Sequence, residues 1–338
     1  MAMTPAVWFP TIRTNTGTDV YTLRLIKGLN ERGIKAEASW LPLRAEYAPW
    51  TAPLPSQPKW ANIIHTNTWF HHRFIPAQLP LVATMHHSVH HPSAAPYKGK
   101  LRTLYHNHWI APMERQVLIR AKKVIAVSQF VADTTRQTLA DVPIEVIYNG
   151  VDTEIFKPYL QQKTETRPFR LLYVGSWISR KGVDLLAPIM RELGDNFELL
   201  YTGGPASDKD KPSMPANMHD IGRLDGDREV ARAMQQADAL LFPSRSEGFG
   251  LVAAEAIACR LPVIATRGSS LIEVVTHGTT GLLCPADNVS AFTQAARQLA
   301  NTHMDNGAIE DHVKERFSIE RSIEATIKVY YQVLEGER

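Results

Sequence analysis

Cysteine is scarce: the 338 residues hold two, Cys259 and Cys284, far apart and outside any Cys-x-x-Cys pair. A disulfide framework is excluded, and a reducing cytoplasm is the natural setting. No run of about 18 apolar residues occurs, so no membrane-spanning helix is expected. The opening strand Ala6-Val-Trp-Phe9 lacks the charged start, apolar core and small-residue cleavage site of a signal peptide, and none is expected. Net charge is only +3, and no basic run is interleaved with aromatics in a recognisable binding motif, so nothing points to nucleic acid. Repeats of solenoid period and low-complexity tracts are also lacking. With 44% hydrophobic and 21% charged residues, the composition is that of an ordinary globular protein, and the length suffices for two domains.

Strand and helix patterns alternate through both halves, which predicts parallel, doubly wound sheets. Residues 1–158 read as a first domain and 169–316 as a second, with the polar stretch Tyr159 to Pro168 as linker. Beyond them, 317–338 reads as a closing helix, its Ser318-x-x-x-Ser322 start compatible with a cap. The Pro-rich piece from Ala48 to Pro58 reads as a loop.

The most specific stretch is Glu247-Gly-Phe-Gly-Leu-Val-Ala-Ala-Glu255, which follows an apolar strand, Ala239-Leu-Leu-Phe242, and the loop Pro243-Ser-Arg-Ser246. Its glycines fall where a helix begins, and a helix start offers unpaired N–H groups and partial positive charge to a diphosphate. Were the stretch helical throughout, its two carboxylates would stand roughly 12 Å apart along the axis. A glycosidase acid and nucleophile pair needs about 5 to 9.5 Å. The longer spacing suits one carboxylate on a sugar and another on a ribose, with phosphates between. The plainer reading makes Glu247 an N-terminal charge and Glu255 a solvated face residue.

Phe242-Pro-Ser-Arg-Ser-Glu-Gly-Phe-Gly-Leu251, with Glu255 and Pro262-Val-Ile-Ala265, resembles the donor-site motif of the retaining glycosyltransferase family 4, also described as glycosyl transferases group 1. The likeness extends along the chain. Thr16-Gly17-Thr18 and the helix after it, the histidine-ended strands Asn62 to His65 and Leu81 to His86, and Val124 to Ser128 resemble the family's first domain. So do Glu145 to Asp152 and Phe156 to Pro158. Leu171-Leu-Tyr-Val-Gly175 and Arg180-Lys-Gly182 resemble the start of its second. The resemblance implies the GT-B fold: two Rossmann-like, doubly wound α/β domains facing across a cleft, with the last helix crossing back to the first.

It implies an enzyme that moves a sugar, with retained configuration, from a nucleotide-sugar to a glycan or lipid-linked acceptor in cell-surface polysaccharide or glycolipid synthesis. UDP is the favoured nucleotide and GDP the alternative. His86, Lys181 and Glu247 are the implied catalytic residues. Gly17, Ser176, Arg180, Lys181, Gly248, Phe249, Gly250, Leu251 and Glu255 are the implied donor-binding set. Transfer builds negative charge on the leaving phosphate, which fixed cations and N–H groups stabilise; Lys181 and the 248–250 turn supply them. Ser176 stands where the family usually has an arginine, and either Arg180 or a hydrogen bond from Ser176 replaces it.

No cofactor or metal is expected. His65, His71, His72, His86, His87, His90 and His91 make one region histidine-rich, yet none forms a zinc-type helical pair. Asp208-Lys-Asp210 and Asp225-Gly-Asp227 look like metal-holding Asp-x-Asp elements. The first lies among lysines, and the second reads as a cap for the helix from Arg228. Lys98, Lys100, Arg102, Arg115, Arg120, Lys122 and Lys123 read as a solvated helix face or, more sharply, as a surface for anionic lipid at the inner face of the cell membrane. Two other classes stay open. One is a non-catalytic nucleotide-sugar-binding protein. The other is an NADP-dependent oxidoreductase, since Gly248-Phe-Gly-Leu-Val-Ala253 also satisfies GxGxxA and Arg267 follows.

Overall fold

Val7-Trp-Phe-Pro-Thr-Ile12 is apolar at most positions, as a strand covered on both faces must be, and it forms β1 (Val7–Ile12), buried throughout. The computed structural model describes residues 3–87, 89–159, 167–302, 313 and 315–336. Two units compose it: residues up to Gly150 together with those from Glu320, and Val151 to Ile319.

The first unit continues through α1 (Gly17–Glu31), β2 (Ala36–Leu41), α2 (Arg44–Tyr47), β3 (Ile63–Asn67), β4 (Leu81–Met85), α3 (Lys100–Tyr105), α4 (Ala111–Arg120), β5 (Lys123–Ala126), α5 (Gln129–Thr138) and β6 (Ile144–Val146). A π-helical stretch, His106–Ile110, joins α3 to α4. All six strands are parallel, in the order β2-β1-β3-β4-β5-β6. The order reverses between β1 and β3. Loops leaving the carboxyl ends of those two strands diverge there and open a crevice.

The second unit runs β7 (Phe169–Tyr173), α6 (Val183–Leu193), β8 (Phe197–Tyr201), β9 (Met218–Asp220), α7 (Asp227–Gln236), β10 (Ala239–Phe242), α8 (Leu251–Ala258), β11 (Val263–Thr266), α9 (Leu271–Val274), β12 (Gly281–Cys284) and α10 (Val289–Asn301). Its six parallel strands lie in the order β12-β11-β10-β7-β8-β9. Numbered within the unit this is 3-2-1-4-5-6 read from the β9 edge, the Rossmann arrangement, with its switch point between β7 and β10. Leu186, Ile189 and Met190 of α6 and Phe292 and Ala296 of α10 close over Leu171, Tyr173 and Leu199 of the sheet. Each such large apolar side chain contributes about 1.5–3 kcal/mol by leaving water.

The closing helix α11 (Ile319–Glu335) belongs to the first unit. Its Ile323 lies so close over α1 that a Cβ on Gly28 would stand 2.0 Å from Ile323 Cδ1, and a larger residue there would make the isoleucine tip shift. Tyr330 is fully buried, and its hydroxyl meets His65 Nδ1 at 2.6 Å. Just before α11, Ser318 pairs with Val151 in a short parallel bridge.

The linker assigned to Tyr159–Pro168 lies mostly outside the described residues. Helix α7 corrects the cap reading: it begins at Asp227, with Gly226 (φ +82°) at the cap position and no side-chain cap bond. Glu229 instead reaches back, its Oε2 accepting the Asp225 N–H at 2.7 Å.

Candidate functional site

In the second unit the loops after β7 and β10 leave from the two sides of the switch point, and several contacts clamp them together. Gly182, at φ +73°, lets α6 start against the other loop, where a Cβ would stand 2.2 Å from Pro243 O. Arg245 N–H donates to Arg180 O at 3.0 Å, and Arg180 Nη1 donates to Ser246 O. Arg245 is held in turn by Asp184, at 2.6 and 2.7 Å, and by Asp287 at 2.6 Å. This brace brings Lys181 Nζ to 2.6 Å from Glu247 Oε1, both side chains largely withdrawn from water.

Burial alone raises the Glu247 carboxyl, but the neighbouring charges of Lys181 and Arg180 outweigh it and hold the group below the usual carboxylate range. Glu247 is fixed by its backbone as well: its N–H donates to Ser269 Oγ at 3.1 Å, and its carbonyl accepts from Ser270 Oγ at 3.1 Å. Ser176, beyond β7, gives its carbonyl to Tyr173 Oη at 3.0 Å. The sheet thus presents a cation and an anion side by side at its switch-point crevice.

Gly250 (φ +91°) ends the loop and α8 begins at Leu251. Glu247 is therefore a loop residue, and the 12 Å spacing of a continuous helix does not apply, because the left-handed glycine breaks it. Gly250 also needs its missing side chain, since a Cβ would meet Leu271 Cδ2 at 2.7 Å. Phe249 is buried, its ring 5.4 Å from that of Phe317. Glu255 lies within α8 at 5% exposure, one turn before Cys259, whose thiol is pushed up to about 12 by burial and by the Glu255 charge.

The dinucleotide reading of Gly248 to Ala253 is not favoured. A GxGxxA turn belongs after the first strand of a 3-2-1-4-5-6 sheet, and this one follows the fourth. The Asp-x-Asp candidates have other partners: Asp208 holds Lys211 at 2.7 Å, and Asp210 accepts from Trp177 Nε1 at 2.7 Å. Among the described residues no three His, Cys, Asp or Glu converge as a metal-binding group, and no helix is long and apolar enough to cross a membrane.

In the first unit the β1–β3 crevice is a cavity of about 350 Å³ whose walls include Thr11, Thr14, Thr16, Asn67, Trp69 and His86. His86 follows β4, with Nε2 2.8 Å from Asn67 Oδ1 and its ring 4.6 Å from that of Tyr21. Although the ring keeps some solvent contact, its dense surroundings lower it to about 4, so the imidazole is neutral at pH 7. Asn67 Nδ2 points to Thr11 Oγ1 at 3.4 Å, which leaves Asn67 Oδ1 to accept from His86 Nε2–H and makes Nδ1 the accepting nitrogen. Gly17 opens α1 beside this cavity.

The structure groups Ser176, Arg180, Lys181, Glu247, Gly248, Phe249, Gly250, Leu251 and Glu255 in the second unit, and Gly17 with His86 in the first. Asn67 and Asp19 had not been singled out from the sequence. Asp19, buried in the first turn of α1, accepts from Thr14 N at 3.0 Å and Asn15 N at 2.8 Å and so shapes the cavity's threonine-rich edge. An acid three residues after a Thr N-cap was the signal available.

The uncharacterized glycosyltransferase MJ1178 of Methanocaldococcus jannaschii is 34% identical over 217 residues, 62% of this chain and 60% of that protein. Sucrose-phosphate synthase from Thermosynechococcus elongatus superposes with a TM-score of 0.78 at 20% identity, over 97% of this chain and 99% of that one. HepE of Anabaena, in complex with UDP and glucose, does so with a TM-score of 0.72 at 15% identity, over 96% and 99%. These likenesses place the two six-stranded sheets in the GT-B fold. Residues 38–155 match glycosyltransferase family 4, and residues 168–302 match glycosyl transferases group 1. The chain belongs to this glycosyltransferase family.

Proposed function

We propose that this chain transfers a hexosyl group from a nucleotide-sugar, a UDP-sugar first and a GDP-sugar second, to a glycan or lipid-linked acceptor with retention of configuration. Cell-surface polysaccharide or glycolipid synthesis in the cytoplasm is the setting. The observation that carries this reading is the Lys181–Glu247 pair at the β7–β10 switch point, beside the glycine-led start of α8. An ammonium has three donors. One holds Glu247, and the others are available to a diphosphate seated on the opening N–H groups of α8.

As the bond from the anomeric carbon to phosphate breaks, negative charge grows on the leaving oxygens. Lys181, with Arg180 behind it, stabilises that charge more in the transition state than in the ground state. Glu247, kept ionised by the same cations, accepts from hydroxyls of the sugar, and Glu255 accepts from the ribose. A cation supplied by the protein leaves no required place for a metal. The neutral His86 offers Nδ1 to a hydroxyl group entering the first unit's cavity. The family resemblance supports retention, by front-face displacement in which the leaving phosphate helps take the acceptor proton. HepE's complex with UDP and glucose supports the choice of UDP.

The test is release of nucleoside diphosphate from a panel of UDP-, GDP- and ADP-sugars, with Glu247→Gln as the control. Turnover of one donor, lost in the variant, is expected. Absence of both turnover and ligand-induced thermal stabilisation across the panel would refute the reading.

A further inference from the structure

We propose that the surface built by α2, the turn after it and α3 docks on an anionic lipid bilayer, and hence that the acceptor is lipid-anchored; the second clause rests on the transferase reading above. Six of the twelve exposed large apolar side chains among the described residues fall in two short segments: Leu43, Tyr47, Trp50 and Leu54 in one, Leu101 and Leu104 in the other. Leu101 is 85% exposed and Trp50 66%. Isolated exposed leucines need no explanation, but a concentration of this kind does.

The two segments are neighbours in space. Tyr105 Oη donates to Glu46 Oε1 at 3.2 Å, and Trp109 Nε1 donates to Glu46 O at 2.9 Å. The Trp50 and Trp109 rings meet edge to face at 6.1 Å. The contacts therefore bring the leucines and aromatic side chains of both segments onto adjoining elements.

Its exposed charges are basic. From Tyr47 to Met113 the sequence holds no aspartate or glutamate, against five lysines and arginines. Arg44, Lys100 and Arg102 are exposed on the patch itself, while Glu46 is half-buried and engaged by Tyr105. The structure also trims the basic segment marked in the sequence. Arg115 Nε is spent on Leu139 O at 2.7 Å and Arg120 Nη1 on Ile75 O at 2.8 Å, and Lys98 Nζ turns to Val89 O. What remains is a basic rim around tryptophan, tyrosine and leucine, the composition that sits in a headgroup layer.

A second copy of the chain fits worse, because a two-fold contact would set this basic face against itself. The patch is also continuous with the cavity. Leu43, Glu46 and Arg102 line that cavity, so a headgroup lifted from the bilayer has a short path to the walls bearing His86 and Asn67.

Flotation of the full chain with vesicles tests this. The chain is expected to rise with vesicles containing phosphatidylglycerol, less at high salt, and not with phosphatidylcholine alone. Lys100→Ala should weaken partition about fivefold, from about 1 kcal/mol per surface charge, and Leu101→Glu with Leu104→Glu should abolish it. All three positions are exposed, and unchanged thermal melts would show that the variants fold. Flotation of the double variant equal to that of the wild type, or no flotation on phosphatidylglycerol, would overturn the proposal. So would a dimer that the double variant converts to monomer with vesicle binding unchanged. Donor turnover without acceptor, read in the same samples, separates the two readings: its loss strikes at the transferase assignment and leaves docking standing.

Discussion

Replacing Lys181 by methionine removes a cation from beside Glu247 while keeping most of the packing volume. The lysine and glutamate side chains retain 16% and 10% of their exposure, so the carboxylate left behind is poorly hydrated and keeps Arg180 as its neighbouring cation, with Ser244 as a hydrogen-bonding neighbour. Breaking a buried ion pair from one side costs about 3–5 kcal/mol, and the residual exposure and Arg180 bring the expected loss to about 2–3 kcal/mol at pH 7. The pH dependence fixes the cause. In the wild type the Glu247 carboxyl is held below its ordinary range, so its contribution is present above the unfolded carboxylate range and is lost as pH falls through the folded value. In the variant burial dominates and pushes the group up, so the deficit should be largest near pH 8 and shrink towards pH 5 as the carboxylate takes a proton. Urea unfolding across that range measures it. The double variant Lys181→Met with Glu247→Gln removes both charges and should recover most of the loss. A deficit independent of pH, or single effects that simply add, would refute the pairing argument.

His65 makes stability depend on acid in another way. Burial, with the His86 charge adding, pushes it down to about 3, so the unfolded chain binds a proton there before the folded chain does. Stability should be full above about pH 6.5 and lower by about 2 kcal/mol at pH 5 from this residue alone. His65→Leu should flatten that slope in urea titrations, and an unchanged slope would be contrary evidence. Turnover should survive excess EDTA and the pair Asp208→Ala with Asp210→Ala, whose carboxylates already hold Lys211 and Trp177. Inactivation by chelator with rescue by manganese would overturn the phosphate-site assignment. Ser176→Arg should be neutral or harmful if Arg180 already serves the diphosphate, and steady-state kinetics showing a large gain in kcat would say otherwise.

The β10-loop-α8 element was legible because each part of it is local. Ala239 to Phe242 is too uniformly apolar for anything but a covered strand, and the glycines that follow mark where the next helix starts. The alternation of such units fixed the parallel sheets. The pairing of Lys181 with Glu247 was not legible, since 66 residues separate them and only the sheet order brings their loops together. Asn67 and His86 are a similar case, joined across the carboxyl ends of adjacent strands. The Pro-rich stretch after Ala48 reads as a loop, which it largely is; that its Trp50 lies against Trp109 depends on contacts no periodicity reports.

The most direct test of the donor site is calorimetric titration of UDP, in EDTA, into the wild type and into Glu255→Ala and Glu247→Gln. Loss of a charged hydrogen bond to the ribose should weaken UDP by about 1.5–3 kcal/mol in Glu255→Ala, while Glu247→Gln, whose partner is the sugar, should bind nearly as the wild type does. Equal affinity in Glu255→Ala and the wild type, or binding that appears only when a divalent cation is restored, would contradict a metal-free diphosphate site at the start of α8.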